Sequence, residues 1–212
     1  MHASHPAAMQ PRPAADADAG QNRASINTAK RGMKQLRRLE RRDHDAVLQV
    51  YRLAVLNCPE ALYSAAQRRA WARQADDRGD SRALRACLQR GLGLVSVEDQ
   101  ATTGERIAAF AVRDPADRIA LLYCHPEAQR HGHGRALLQA LEAGARREGI
   151  QRLRTEASLI SRSLFEAEGW QHSWREELQI HGVHFHRFRL HKPLAPILDP
   201  WPKPSSSGSS RR

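Results

Sequence analysis

Between residues 33 and 193 the spacing of apolar positions changes several times, and each change marks a new element. The stretch MKQLRRLERRDHDAVLQVYRLAV opens as a short strand, breaks at Asp43, and then places Val47, Val50, Tyr51 and Val55 on one side of a helical wheel. It predicts a first strand, a turn and an amphipathic helix with those four side chains inward. Ser64, followed three residues later by Gln67, forms a capping box for a second helix through Trp71. Ser81 as N-cap and Gly91 as stop bracket a third helix. After Gly91 the pattern becomes that of strands. LVSVED, RIAAFAVR and RIALLYCHP, separated by Gly104 and by Asp114-Pro115-Ala116-Asp117, predict an antiparallel meander. A helix from about Arg135 to Glu148 with Leu137, Leu138, Leu141 and Ala145 inward is stopped by Gly149. A strand LRTEAS, a short helix SRSLFEAEG and a hairpin turning near His181-Gly182 complete the series.

These elements describe one α+β domain over residues 33–193, built around a single sheet. The flanks, residues 1–32 and the Pro/Ser-rich 194–212, show no sustained period and are expected to be flexible tails. No run approaches the ~20 apolar residues needed to span a bilayer, and no secretory core precedes the domain, so a soluble cytoplasmic protein without a membrane partner is expected. Cys58, Cys87 and Cys124 lack CxxC spacing and read as buried small side chains rather than disulfides or a zinc knuckle. The 34 Lys and Arg against 23 Asp and Glu give a net charge of +11, which favours anionic partners. Aromatic residues make up only 5% of the chain, too few near the basic residues for a base-stacking surface. Nucleic acid therefore stands only as an alternative partner.

The densest chemical signal lies where the strand ending at Cys124-His125-Pro126 meets the helix near Arg135. The joining residues are Gln129-Arg130-His131-Gly132-His133-Gly134. Small residues at 132 and 134 let the main chain approach an anion, and the first amides of the helix sit at the positive end of its dipole. Arg130 and Arg135 add countercharge. The spacing matches neither GxGxxG nor GxxxxGK[ST], so a dehydrogenase or nucleotide-hydrolysing site is not indicated. His131 and His133 have HxH spacing, but a cation would be repelled at that helix end; they read as solvated loop side chains, and no metal is expected.

Gln129-x-x-Gly132-x-Gly134 after a strand and opening a helix resembles the acyl-CoA signature of the GNAT N-acetyltransferase superfamily. The surrounding order agrees: Tyr63-Ser64 and Trp71 in the second helical region, the meander, LYCHP, and ASLISRSLFEAEGW. The resemblance spans residues 33–192. It implies a mixed α/β GNAT-like fold, a mostly antiparallel sheet of about six to seven strands flanked by helices and splayed in a V between the strand ending near Cys124 and the strand at 153–157. It further implies acetyl-CoA as co-substrate, its pyrophosphate on the amides of residues 130–134, with Gln129, Arg130, His131, Gly132, His133, Gly134 and Arg135 forming the site. The main chain of Leu122, Tyr123 and Cys124 would bond the pantetheine.

The resemblance thus implies an acyltransferase moving an acetyl group to a primary amine by direct attack, as a monomer or homodimer. Two departures bear on its proton transfers. Phe165 stands where the family usually offers a Tyr, and Ala120 and Leu122 stand where an acidic residue would project towards the acceptor. Glu156 is then the candidate base, unless it is a structural carboxylate paired with Arg152 or Arg154, and Tyr123 or water the candidate acid. Cys124 lacks a His–acid pair and is not expected to act as a nucleophile. Tyr63 and Trp71 are expected to pack and to shape the acceptor end, and His184 and His186 to be exposed or line it. Arg37, Arg38, Arg41 and Arg42 read as a solvated face. A protein-specific N-acetyltransferase, and a non-catalytic acyl-CoA-binding or nucleic-acid-associated module, are the alternatives.

Overall fold

The computed structural model describes residues 34–76, 81–100 and 104–195. The expected N-terminal tail and the chain beyond 195 lie outside them. Strand β1 (Gln35–Arg38) leads through a single 3₁₀ turn into helix α1 (His44–Leu56), followed by α2 (Ala65–Ala72) and α3 (Arg82–Arg90). Then come β2 (Leu92–Gln100), β3 (Gly104–Arg113), β4 (Arg118–Cys124), α4 (His133–Arg147), β5 (Arg152–Ala157), α5 (Arg162–Ala167), β6 (Gln171–Ile180) and β7 (Val183–Pro193).

Local chemistry explains the boundaries. Ser64 Oγ accepts from the Gln67 N–H at 3.2 Å while the Gln67 side chain accepts from the Ser64 N–H at 2.9 Å, so the capping box forms and starts α2. The β6–β7 hairpin turns through two left-handed residues, His181 (φ 49°) and Gly182 (φ 78°), the conformation that matches the twist of a two-residue hairpin. At Gly91 a Cβ would stand 2.3 Å from Val112 Cγ1, so the passage from α3 into β2 admits only glycine.

The seven strands form one sheet in the order β1-β2-β3-β4-β5-β7-β6. Every neighbouring pair is antiparallel except β4 and β5. One face packs α4 and α5 through Leu137, Leu138, Leu141, Ile119, Leu153 and Phe165. The other packs α1 and its neighbours through Val47, Tyr51, Val55, Val95, Phe110 and Val112. The four inward positions predicted for α1 are all buried, as the 3.6-residue period requires. Arg37 departs from the expected solvated face: it pairs with the buried Asp43 at 2.7 Å and with Glu105, tying β1 to the start of α1 and to β3. No helix among the described residues is long and apolar enough to cross a membrane.

Leu194, placed by its sequence at the start of the C-terminal tail, is 4% exposed in the α4-side core, and its N–H donates to the Gln151 carbonyl at 2.7 Å. A chain ended at Lys192 loses this residue and should be less stable by about 2 kcal/mol than one ended after Ala195. That corresponds to a melting temperature roughly 4–8 °C lower. Thermal melts of the two truncations check it; equal values would show that Leu194 contributes nothing.

Candidate active site

The β4–β5 pair decides where a site can exist. The two strands pair only at Arg118↔Arg154 and Ile119↔Thr155, where Thr155 Oγ1 also donates to the Ile119 carbonyl at 2.8 Å. On its other side β4 carries one extra residue: Val112 pairs with Leu121 but Arg113 with Ile119, leaving Ala120 as a bulge. A bulge bends its strand and increases local twist. Beyond it β4 and β5 part, and the β5-facing edge of residues 120–124 has no ladder partner among the described residues.

The gap holds a slot of about 60 Å³ lined by Ile119, Leu122, Thr155 and Phe165, among others. A larger cavity of about 430 Å³ lies on the α1–α3 side against the β6–β7 hairpin, with Leu121, Leu178, Phe185 and Arg187 in its walls. Trp71, Ala120, Tyr123, Glu156 and Ser158 line both spaces and so mark their junction. The bulge corrects the expected facing of β4: Leu121 and Tyr123, with Ala120, line the larger cavity, while Leu122 turns to the slot. Tyr63 and Trp71 pack edge-to-face at 5.3 Å between ring centres and also line the larger cavity, as do His181 and His186.

At the head of α4 the helix begins at His133, two residues before the expected start. Arg130 (φ 63°) and the N-cap Gly132 (φ 83°) are both left-handed, so the loop folds back and brings its main chain over the helix end. A Cβ on Gly132 would stand 2.7 Å from Lys34 Nζ, which places an ammonium from the chain segment before β1 directly above the loop. Gly134 is held for a different reason, since its Cβ would press on Leu164 Cδ2 of α5 at 3.2 Å. Gln129, Arg130, His131 and Arg135 are exposed, and Arg135 pairs with Glu168 at 2.6 Å. The head of α4 thus combines first-turn amides that have no intrahelical acceptor, a helix dipole and the charges of Lys34 and Arg130.

His133 corrects the reading of a solvated loop. Its side chain turns under the sheet and is 1% exposed, with Nδ1 2.8 Å from Ser96 Oγ and Nε2 2.9 Å from Glu98 Oε1. Arg106 holds Glu98 at 2.8 Å in turn and reaches Glu127 at 2.6 Å. His133 therefore offers the head of α4 only its main chain and anchors it to β2. Glu98, His131 and His133 present possible ligand atoms within 4.8 Å of one another. A metal ion there would face Lys34, Arg106 and the positive helix end, and both His133 nitrogens already have partners.

Burial lowers the His133 pKa below its ordinary 6.5, against the opposing pull of Glu98. The folded state thus resists a proton that the unfolded chain accepts, so the stability it contributes is full above pH 6.5 and falls as the pH drops below that value. Glu98, held below its usual range first by Arg106, loses its contribution only at lower pH. His133→Gln should be less stable than the parent at pH 7.5 and lose less on acidification to pH 5.5. Melting temperatures across that range check this; parallel pH slopes would exclude His133 as their source.

The proton-transfer candidates differ in circumstance. Tyr123 is packed between Tyr51, at 4.5 Å between ring centres, and Phe110, at 5.7 Å, and burial raises its pKa well above the ordinary phenol value. Its hydroxyl keeps its proton at neutral pH. Glu156 is 7% exposed at its side chain and is paired, though with other arginines than the strand neighbours expected: Arg118 at 2.6 Å and Arg189. Arg154 pairs with Asp117 instead. With both Glu156 oxygens accepting from guanidiniums, the carboxylate serves as an anchored charge rather than a free base. Phe165 is 2% exposed and packs on Trp170, at 4.9 Å between ring centres. The Cys124 thiol is pushed up to about 11 by burial, which leaves it protonated and inert.

The sequence matches the family described as "Acetyltransferase (GNAT) domain" over residues 61–192, and the chain belongs to that family. Among solved structures it is similar to a GCN5-related N-acetyltransferase from Rhodopseudomonas palustris, with TM-score 0.68 and 25% identity over 76% of this chain and 96% of that one. It also shares its fold with the PaiA N-acetyltransferase of Thermoplasma acidophilum in complex with coenzyme A, with TM-score 0.57 and 18% identity over 76% and 99% of the two chains. A third likeness is to the ribosomal-protein-S18-alanine N-acetyltransferase of Escherichia coli, with TM-score 0.55 and 17% identity over 80% and 99%. A comparison with curated proteins gave no match. The seven-stranded, mostly antiparallel open sheet flanked by helices is the fold these neighbours share.

Proposed function

We propose that the protein is an acetyl-CoA-dependent N-acetyltransferase that transfers an acetyl group to a primary amine by direct attack. The observation that carries this reading is the succession of the glycine loop at the head of α4, the unpaired edge of β4 and a junction that opens on a second cavity. The residues fit the co-substrate. A left-handed Gly132 with no Cβ, overlain by Lys34 and beside Arg130, suits a pyrophosphate, and the slot suits a narrow pantetheine arm.

Acetyl-CoA supplies an activated acetyl thioester when bound. The chain's contribution is to hold and to polarise. The amides of residues 130–134, with Lys34 and Arg130, balance phosphate charge, and the free edge at Leu122, Tyr123 and Cys124 pairs in strand fashion. An N–H of that edge stabilises the oxygen that becomes negative as the amine adds. Tyr123, at the junction and protonated, hydrogen-bonds the sulfur of the departing thiolate, which takes its proton from water. Glu156, held by Arg118 and Arg189, fixes the wall of the junction, and the proton shed on attack passes to water in the larger cavity. Phe165 lines the slot without a dissociable proton, so it shapes the passage only.

Release of free CoA from acetyl-CoA, measured with a panel of amines, tests the reading. Acceptor-dependent release supports it. CoA binding without release for any amine would favour the acyl-CoA-binding module.

A further inference from the structure

The cavity wall beside Glu156 carries a chain of five alternating charges that ends unbalanced. Arg118 bonds to Glu156, and Glu156 also accepts from Arg189. Arg189 forks onto Glu176 through Nε at 2.8 Å and Nη2 at 3.0 Å, and Glu176 accepts from Arg187 Nε at 2.6 Å. Three guanidiniums thus share two carboxylates, and the surplus positive charge can be located. Arg118 is used up, with Nε and Nη2 on Glu156 and Nη1 reaching the Asp114 carbonyl at 3.3 Å. Arg189 gives all three of its nitrogens to carboxylates. Arg187 gives only Nε; neither of its Nη groups has an acceptor among the described residues, and the side chain lines the larger cavity. Glu176 is held down to about 2 by its hydrogen bonds from Arg187 and Arg189. The Glu176 charge is therefore constant at any working pH.

The cavity wall combines aromatic and aliphatic side chains with polar ones such as Gln74, Ser158 and His186. Trp71 and Phe185 meet edge-to-face at 6.1 Å between ring centres, and Leu178 closes the wall from β6. A guanidinium with two uncommitted Nη groups, on a cavity wall that also carries aromatic and aliphatic side chains, is matched by a planar two-oxygen anion on an apolar body. We propose that the acceptor is an amino carboxylate, an amino acid or a compound built like one, whose carboxylate is bound by the Nη pair of Arg187, whose apolar body lies against Trp71 and Phe185, and whose amine reaches the Tyr123–Glu156 junction. This inference rests on the N-acetyltransferase reading and narrows its substrate class. Arg187 is a specificity-determining residue in it.

The test uses the full chain and acetyl-CoA with a panel of amino acids, each paired with the amine that lacks its carboxyl group, such as leucine with isopentylamine and phenylalanine with phenethylamine. For the preferred body the acid should exceed its amine by ~10–100-fold in kcat/KM, the range expected for losing a charge-assisted bidentate pair. Arg187→Met should bring the two within about twofold, and Arg187→Lys, which keeps charge without the fork, should fall between. Amines used as well as their acids, or a gap that survives Arg187→Met in a folded variant, would overturn the proposal. A binding measurement separates it from the reaction: N-acetylated amino acids should quench tryptophan fluorescence more strongly than the matching N-alkylacetamides, and Arg187→Met should abolish the difference. If no amine releases CoA yet this carboxylate preference holds, the transferase reading fails and the carboxylate site stands. If neither carboxylates nor amines bind, the site falls even should another class of amine, such as a protein terminus, be acetylated.

Discussion

Gly132→Glu should weaken CoA binding by about 100-fold or more while the domain stays folded. Two effects add at that position. The residue is left-handed at φ 83°, which an L side chain adopts at a penalty of roughly 1–2 kcal/mol. Its Cβ would point at Lys34 Nζ, 2.7 Å away, so a glutamate there captures the ammonium that otherwise faces the anion, and sets its own charge against the phosphates. At about 4 Å and a near-surface dielectric, like charges repel by roughly 4 kcal/mol, more than the hundredfold requires. Gly132→Ala separates the terms, because it carries the backbone strain without the charge and should lose less than tenfold. Lys34→Ala, which removes the ammonium and leaves the loop intact, should fall between the two. Calorimetric titration with CoA measures all three. If Gly132→Glu melts as a folded protein and binds CoA with parental affinity, the head of α4 is not the phosphate site.

The loop could be found in the sequence because its chemistry is local. Two glycines at fixed spacing between a strand and a helix state a backbone requirement within six residues, and the structure shows the left-handed turn that makes Gly132 necessary. The helices were legible for the same reason, since one side of α1 or α4 repeats within two turns. What escaped depends on juxtaposition. Lys34 reaches Gly132 only because the sheet brings β1 and the head of α4 together, and nothing near residue 34 signals an anion site. His133 looked solvated because the loop around it is polar, yet the turn of the helix sends its ring towards Ser96 and Glu98 on β2. The facing of Leu122 was misjudged because strict alternation fails at a bulge, and Ala120 gives no compositional sign of one. The partners of Glu156 were sought on its own strand, whereas Arg118 and Arg189 come from the strands on either side.

Those partners set the expectation for Glu156 itself. A carboxylate acting as general base would need a lone pair directed at the amine, and its loss would remove the corresponding limb of the pH–rate profile along with 10²-fold or more of kcat. Glu156 instead receives Arg118 on one oxygen and Arg189 on the other, so its charge is engaged by guanidiniums rather than directed at the amine. Glu156→Gln should therefore retain kcat within about tenfold and keep the shape of the pH profile. Its larger effect should be on stability. Arg189 keeps Glu176, but Arg118 loses its only carboxylate partner among the described residues on a side chain that is 30% exposed. Removing one partner of a buried pair is worth 3–5 kcal/mol, and partial solvent access here brings the expectation to about 2 kcal/mol. That is a fall of roughly 4–8 °C in Tm for a chain of this size. A variant as stable as the parent but slowed by 10²-fold or more, with its acidic limb abolished, would reverse the assignment and make Glu156 the base after all.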